Sequence, residues 1–191
     1  MQDMTEIRWH ARAGQGAVTA SKLLAEAALL KGSYIQAMPE YGPERTGAPL
    51  RAYTRISSKP IDVHNNIVNP QIVVVLDETL LEVVNVLEGI DEDGTVVINT
   101  QLGVDEARTL LKAPDSMKVA VVDASGIALD TLRRDLPNTP TVSALVHVSG
   151  TASIDALKKN LVETFAEKFT QEVIDANLAA VDRAVSEVKV G

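Results

Sequence analysis

A glycine-containing segment near the amino terminus carries the residues best suited to chemistry. It reads Arg12-Ala13-Gly14-Gln15-Gly16 and lies between a predicted strand and a predicted helix. Glycines permit a tight turn there, and the backbone N–H groups at a helix start attract an anion such as phosphate. The local residues fit a ligand-free strand-to-helix turn equally well. Their spacing matches neither the three-glycine dinucleotide fingerprint nor the Walker phosphate loop.

A second unusual segment spans residues 39–49 and contains Glu44-Arg45-Thr46-Gly47. An arginine suits bidentate contacts with phosphate or carboxylate groups. The three prolines of the segment stiffen the chain, which suits a binding surface. Taken alone, these residues favour a plainer interpretation, a surface loop whose Glu44–Arg45 ion pair adds little stability.

The remaining polar residues predict no catalytic centre. The histidines His10, His64 and His147 lack the spacing of metal ligands, and a structural role is favoured for His10. The absence of cysteine excludes disulfides, thiolate metal sites, cysteine-held iron–sulfur clusters and a thiol nucleophile. Asp77 and Asp123 each follow a buried strand and are predicted to cap the next helix. We therefore assign no catalytic residue and no metal ligand.

Bulk composition limits the class of protein. A chain of 191 residues favours one domain, residues 1–191. The formal net charge of −8 argues against nucleic acid and against an anionic membrane surface as partners. No run approaches the roughly eighteen apolar residues of a membrane span, and Met1 leads into a polar segment without a signal core. These features predict a cytoplasmic protein.

Hydrophobic periodicity predicts alternating strands and helices. Continuously apolar runs at 72–76, 95–99 and 119–123 are typical of strands buried on both faces. The strand at 50–57 alternates, which implies one face covered by solvent or by a partner. Further elements are predicted as strands at 5–9 and 34–38 and as helices at 17–31, 78–87, 104–111, 127–136, 141–148 and, for the C-terminal helices, about 153–188. This order predicts a three-layer α/β/α fold with a mostly parallel sheet, a mixed sheet being the alternative.

The two glycine-containing segments together resemble the gamma subunits of 2-oxoacid:ferredoxin oxidoreductases. Residues 12–20 are similar to the Gly-Arg-Gly-Gly-Gln-Gly-Val-Val-Thr-Ala segment of that family. Residues 41–49 resemble its Phe/Tyr-Gly-Pro-Glu-Arg-Arg/Ser/Thr-Gly-Ala-Pro loop, and the resemblance extends over nearly the whole chain. Ala11 and Ala13 stand where the family often has glycine, so the turn is expected either to differ slightly or to need no unusual angle there.

The resemblance implies that the chain supports oxidative decarboxylation of a 2-oxoacid to acyl-CoA and CO₂, with reduction of ferredoxin. Pyruvate is the first choice of substrate; 2-oxoglutarate, branched-chain 2-oxoacids and indolepyruvate are alternatives. Thiamine diphosphate, Mg and iron–sulfur clusters would sit on alpha, beta and delta-type partner subunits, and the chain alone would be inactive. The resemblance implies that Gly14, Gln15 and Gly16 offer backbone and amide donors to the phosphates of coenzyme A. It also implies that Glu44, Arg45, Thr46 and Gly47 complete this site or contact the thiamine-bearing subunits.

Two functions of other classes stay open at this stage. One is a stand-alone module that binds coenzyme A or a nucleotide without redox partners. The other is a purely structural subunit, whose glycine turn touches no ligand in the assembled enzyme. Co-purification with cluster-bearing chains distinguishes the first from an oxidoreductase subunit.

Overall fold

The computed structural model describes residues 4–40 and 47–191. Its strands are β1 Met4–Arg12, β2 Tyr34–Pro39, β3 Pro49–Ser57, β4 Ile72–Val75, β5 Thr95–Asn99, β6 Lys118–Val122 and β7 Lys189–Val190. The α-helices of these ranges are α1 Ala17–Leu29, α2 Val104–Leu111, α3 Ala124–Leu132, α4 Asn138–Ser149, α5 Ile154–Ala166 and α6 Gln171–Glu187. A short 3-10 helix spans Glu78–Glu82.

The seven strands of the described ranges form one sheet in the order β2-β3-β1-β4-β5-β6-β7. The central strands β1, β4, β5 and β6 are parallel, whereas β2, β3 and β7 pair antiparallel at the two sides. The predicted single α/β domain is confirmed. Its sheet is mixed, which was the alternative to a mostly parallel sheet. Because the parallel strands all end at one edge, which we call the carboxyl edge, the residues that follow them are brought together there.

The two faces of the sheet are covered unequally. On one face, side chains such as Trp9, Val74 and Val97 join the main core with residues from α1, α3, α4, α5 and α6. On the other face, a smaller core forms where Val75 and Ile98 pack with residues from the 84–90 segment and α2. The α/β/α layering is therefore present, with one thick helical layer and one thin layer.

Several helix ends follow the signals in the sequence. Helix α5 begins where predicted, since the Ser153 hydroxyl accepts a hydrogen bond from Ala156 N at 3.1 Å. Helix α1 ends at Leu29, two residues before the predicted end, and Gly32 adopts φ +83 just beyond. Helix α3 starts earlier than the predicted residue 127, because Asp123 caps it through Gly126 N at 2.8 Å.

The helix predicted over 78–87 is wrong beyond its first turn. Only Glu78–Glu82 is helical, as a 3-10 helix. The following residues include β-branched valines, which lose side-chain freedom in a helix. The Asn85 side chain accepts a hydrogen bond from Leu87 N at 3.2 Å, a local turn that competes with helical bonding. Helix α3 likewise stops at Leu132 instead of 136, because Arg133 adopts a left-handed conformation with φ 57.

The alternating sequence of β3 predicted that one face of the strand is covered by solvent or by a partner. In the structure, this polar face is covered by other parts of the same chain. Arg55 is 1% exposed and donates to Glu6 Oε1 at 2.7 Å and to Gln36 Oε1 at 2.8 Å. Its guanidinium also reaches Asn65, in the connection that precedes β4. Arg8 on β1 is equally buried and donates to backbone carbonyls. The alternation thus encodes a buried polar network.

Candidate functional site

The structure brings the glycine turn and the end of the second segment together. Strands β1 and β3 are antiparallel neighbours, with Arg12 opposite Pro49. Beyond this pair, Ala13 N donates to the Ala48 carbonyl at 2.9 Å, and Gly47 N donates to the Ala13 carbonyl at 3.2 Å. Gly47 therefore lies beside the turn at the carboxyl edge. The predicted site residues Glu44, Arg45 and Thr46 lie outside the described residues, and their roles stay predictions.

Both glycines of the turn adopt backbone angles that favour glycine. Gly14 has φ +103 and Gly16 has φ +81. A Cβ at Gly14 would meet open space, whereas one at Gly16 would lie 3.0 Å from the Cβ atom of Asn138. Ala11 and Ala13 are absent from the positive-φ residues of the described ranges. Alanine is therefore compatible with the backbone at residues 11 and 13. Glycine is required most strongly at residue 16, where a side chain would both strain the backbone and crowd Asn138.

The start of α1 presents unused hydrogen-bond donors at this turn. Gly16 is the N-cap residue and offers no side-chain cap, and the first helical bond runs from Ala20 N to the Gly16 carbonyl at 2.9 Å. Within the described part of the chain, the N–H groups that precede Ala20 in the helix have no acceptor, and neither does Gly16 N. Free N–H groups at the positive end of a helix dipole form an anion site.

Gln15 has an internal role that its sequence position does not reveal. Its Oε1 atom accepts a hydrogen bond from Arg12 N at 2.8 Å, and its Nε2 atom donates to Asp77 Oδ2 at 2.7 Å. The carboxamide therefore ties the turn to the end of β4. Of the donors expected from Gly14, Gln15 and Gly16, the backbone groups are better placed for a ligand than this amide.

Arg12 and Asp77 form an ion pair across the carboxyl ends of β1 and β4. Arg12 Nε lies 3.3 Å from Asp77 Oδ2, and the guanidinium also donates to Thr79 Oγ1 at 2.8 and 3.0 Å and to the Gly47 carbonyl at 3.1 Å. Asp77 caps the 3-10 helix as predicted, accepting from Thr79 N at 3.0 Å. Its partnership with Arg12 was missed, because no local pattern signals it.

The Asp77 carboxylate is stabilised in its charged form. Burial acts to raise its pKa, but the hydrogen bonds from Thr79 and Gln15 and the charge of Arg12 outweigh burial, so the pKa lies below its usual value. Asp77 is therefore ionised at neutral pH. This charge keeps Arg12 directed toward the carboxylate and the Gly47 carbonyl.

His10 has the structural role that the sequence favoured. It is buried, and its Nε2 atom accepts a hydrogen bond from Arg8 Nε at 3.1 Å. Burial, reinforced by the charges of Arg8 and Arg51, lowers its pKa to about 3.

Two other features are absent from the described ranges as a whole. In those ranges, no three His, Asp or Glu side chains lie close enough to hold a metal ion. Helices long and apolar enough for a bilayer crossing are also absent from those ranges.

Comparison with known proteins identifies the family. The family model for pyruvate ferredoxin/flavodoxin oxidoreductase matches residues 6–187. The chain belongs to this family. It is 50% identical over 184 residues to the pyruvate synthase subunit PorC of Thermotoga maritima, a match that covers 96% of this chain and 94% of that one. It is also 43% identical over 180 residues to the pyruvate/ketoisovalerate oxidoreductases common subunit gamma of Pyrococcus abyssi, covering 94% and 97% of the two chains.

A solved structure agrees with this assignment to the oxidoreductase family, and a second one shares the fold. The crystal structure of pyruvate oxidoreductase subunit PORC from T. maritima superposes with a TM-score of 0.86 at 46% identity, covering 100% of this chain and 99% of that one. A 2-oxoglutarate:ferredoxin oxidoreductase from Magnetococcus marinus shares the fold at 18% identity, with a TM-score of 0.77; the match covers 97% of this chain and 31% of that one. The identification of this chain as a gamma subunit of the oxidoreductase family is confirmed.

Proposed function

We propose that this gamma subunit serves a pyruvate:ferredoxin oxidoreductase and binds phosphate groups of coenzyme A at the glycine turn. The complex would convert pyruvate and coenzyme A to acetyl-CoA and CO₂, with the electrons passing to ferredoxin. Pyruvate is favoured because the T. maritima relative, at 50% identity, is a pyruvate synthase subunit. The P. abyssi relative is named as common to pyruvate and ketoisovalerate oxidoreductases. That name supports a division of labour in which the partner subunits select the 2-oxoacid.

The observation that carries the coenzyme A proposal is the set of free donors at the start of α1. Gly14 and Gly16 expose the backbone in conformations that a side chain would strain, and no side chain caps the helix. A phosphate suits this arrangement for two reasons: the N–H groups can donate to its oxygens, and the helix dipole favours its negative charge. Gly47, which lies beside the turn, would complete the site or contact the thiamine-bearing subunits. We propose the same role for Glu44, Arg45 and Thr46.

Other components of the reaction are assigned to the partners. The chain contains no cysteine, so it cannot supply thiolate ligands to an iron–sulfur cluster. The clusters would therefore be held by partner subunits, and we assign thiamine diphosphate and Mg to the same alpha, beta and delta-type subunits, in the cytoplasm. When bound there, thiamine diphosphate supplies the carbanion chemistry of decarboxylation. This chain would contribute to assembly and would hold coenzyme A.

The proposal is tested by replacing Gly16 with alanine in the reconstituted complex. The new Cβ would crowd Asn138 and strain a positive φ, which disturbs the donors of the turn. We expect the KM for coenzyme A to rise about tenfold, the loss of roughly one hydrogen bond to a charged group, with the KM for pyruvate unchanged. The matched control is Gly150→Ala, which strains a similar φ of +65 in open space at the end of α4.

Three results would contradict the coenzyme A proposal in different ways. An unchanged KM for coenzyme A in an assembled Gly16→Ala complex would favour a structural subunit. An equal rise in the Gly150→Ala complex would mean that general destabilisation causes the effect. A native pull-down that recovers this chain without iron, thiamine diphosphate or companion chains would favour a stand-alone binding module.

A further inference from the structure

One carboxylate joins three separate parts of the candidate site. Asp77 Oδ2 accepts from Gln15 Nε2 at 2.7 Å and pairs with Arg12 Nε at 3.3 Å, while Oδ1 accepts from Thr79 N at 3.0 Å and Thr79 Oγ1 at 2.6 Å. Arg12 in turn donates to the Gly47 carbonyl at 3.1 Å. The glycine turn, the second segment and the 3-10 helix are thus linked through Asp77.

The contacts of Asp77 lie at a point of the sheet where ligands commonly bind. Strands β1 and β4 are parallel neighbours, but the chain leaves them in opposite directions. After β1 it continues to β2 on one side of the sheet, and after β4 it continues to β5 on the other. Because the connections that follow such strands run in opposite directions, they leave a crevice outside the carboxyl ends where ligands bind. Just beyond the two strand ends, the side chains of Arg12 and Gln15 contact that of Asp77.

The neighbouring contacts show that Arg12 is already committed within the chain. Its Nη1 atom donates to the Gly47 carbonyl, its Nε and Nη2 atoms donate to Thr79 Oγ1, and Nε also lies 3.3 Å from Asp77 Oδ2. Because every nitrogen of the guanidinium already has a partner within the chain, a positioning role is favoured over direct contact with a phosphate. The side chain is 30% exposed, and that of Asp77 is 15% exposed, so the pair is partly shielded from solvent screening.

We propose that Arg12 and Asp77 are positioning residues for coenzyme A. Their ion pair holds the Gly14–Gly16 turn and Gly47 against the end of β4 in the geometry that the ligand requires, and neither side chain contacts the ligand. This inference rests on the proposed function of the turn. It predicts that breaking the pair weakens coenzyme A binding selectively, because the donors of the turn remain present but are misplaced.

The test uses two conservative substitutions in the reconstituted complex. Asp77→Asn keeps an oxygen for the Thr79 cap but removes the charge that faces Arg12. Arg12→Lys keeps the charge, but a single ammonium group cannot reach Gly47 and Thr79 together. For each variant we expect the KM for coenzyme A to rise on the order of tenfold, with kcat and the KM for pyruvate unchanged. The double variant should show less than the product of the two effects, because both remove the same contact.

The control is Asp123→Asn, which affects a cap of the same kind at the same edge. Asp123 caps α3 through Gly126 N at 2.8 Å and, among the described residues, makes no side-chain contact with the glycine turn. Its variant should leave the KM for coenzyme A unchanged. Equal rises in the Asp77→Asn and Asp123→Asn complexes would overturn the positioning role, since loss of any cap would then suffice.

The two proposals fail in distinguishable ways. If Gly16→Ala raises the KM for coenzyme A while Asp77→Asn and Arg12→Lys leave it unchanged, the positioning role is wrong and the proposed site stands. If none of the three variants changes this KM in an assembled complex, the site itself is wrong and the positioning role falls with it. An equal loss of kcat/KM for pyruvate and for coenzyme A would also reject the selective effect.

Discussion

The side chain of Asn138 lies directly against Gly16, so that a Cβ on this glycine would approach the Asn138 Cβ and Cγ atoms at 3.0 Å. Asn138 is the first residue of α4, and Gly16 is the N-cap of α1. The contact therefore brings the starts of two helices together at the carboxyl edge of the sheet. It makes glycine necessary at residue 16 for packing as well as for backbone conformation.

Gly16→Ala should cost more stability than Gly150→Ala. Both glycines have positive φ, where an alanine is strained by about 1–2 kcal/mol. At Gly16 the crowding of Asn138 adds to this strain, whereas nothing lies within 4 Å of a Cβ at Gly150. Urea unfolding of the two variants measures the difference in free energy. Equal losses would show that Asn138 moves aside without cost.

A matched pair of threonines in α4 tests the cost of an unpaired hydroxyl. Thr141 Oγ1 is the one fully buried side-chain polar atom of the described residues that has no hydrogen-bond partner. Thr141→Val should therefore stabilise the chain by about 1 kcal/mol. Thr139→Val should destabilise it by about 1 kcal/mol, because the Thr139 hydroxyl donates to Asn177 Oδ1 at 2.9 Å. Thermal or urea unfolding would detect the opposite signs; shifts in the same direction would argue against this explanation.

The ion pair between the buried Arg55 and the partly buried Glu6 should contribute far more stability than a surface ion pair. Arg55 is 1% exposed and lies 2.7 Å from Glu6 Oε1. Glu6→Gln leaves the guanidinium without its counter-charge, and we expect a loss of about 3 kcal/mol. The control is Asp130→Asn, which breaks an exposed pair with Arg183 and should cost less than about 1 kcal/mol. Comparable losses of unfolding free energy in the two variants would mean that the remaining hydrogen bonds of Arg55 are enough to stabilise its buried charge.

His10 should make the chain less stable toward acid. Its pKa is lowered from 6.5 to about 3 in the folded protein, so the unfolded state binds a proton that the folded state does not. The resulting contribution to stability is present above about pH 6.5 and is lost as the pH falls toward 3. The NMR signals of the His10 ring should stay constant from about pH 8 to about pH 5. A titration midpoint near the ordinary value would contradict the neutral, buried assignment.

In a His10→Gln variant, the amide oxygen can still accept from Arg8 and has no charge to gain. The free energy of unfolding of this variant should fall less steeply than that of the unmodified chain below about pH 6.5. The comparison isolates the histidine from the carboxylates, which also protonate in acid.

Much of the fold could be predicted because it depends on local patterns. Continuous apolar runs located β4, β5 and β6, and cap residues located the starts of α3 and α5 to within a few residues. The prediction failed over 83–87, where hydrophobic periodicity indicated a helix but valines and the Asn85 turn favoured another conformation. It also missed β7, because a strand of two residues is too short to carry a pattern.

The sequence by itself determined the glycine turn, the polar residues after each parallel strand and the family resemblance, since each depends on neighbouring residues. Only the tertiary structure decided what these residues contact. Gln15 and Asp77 are separated by 62 positions along the chain and become partners because β1 and β4 are adjacent in the sheet. Strand order also brings Gly47 to the turn and buries Arg55. Such contacts arise from packing the whole sheet, and no local pattern specifies them.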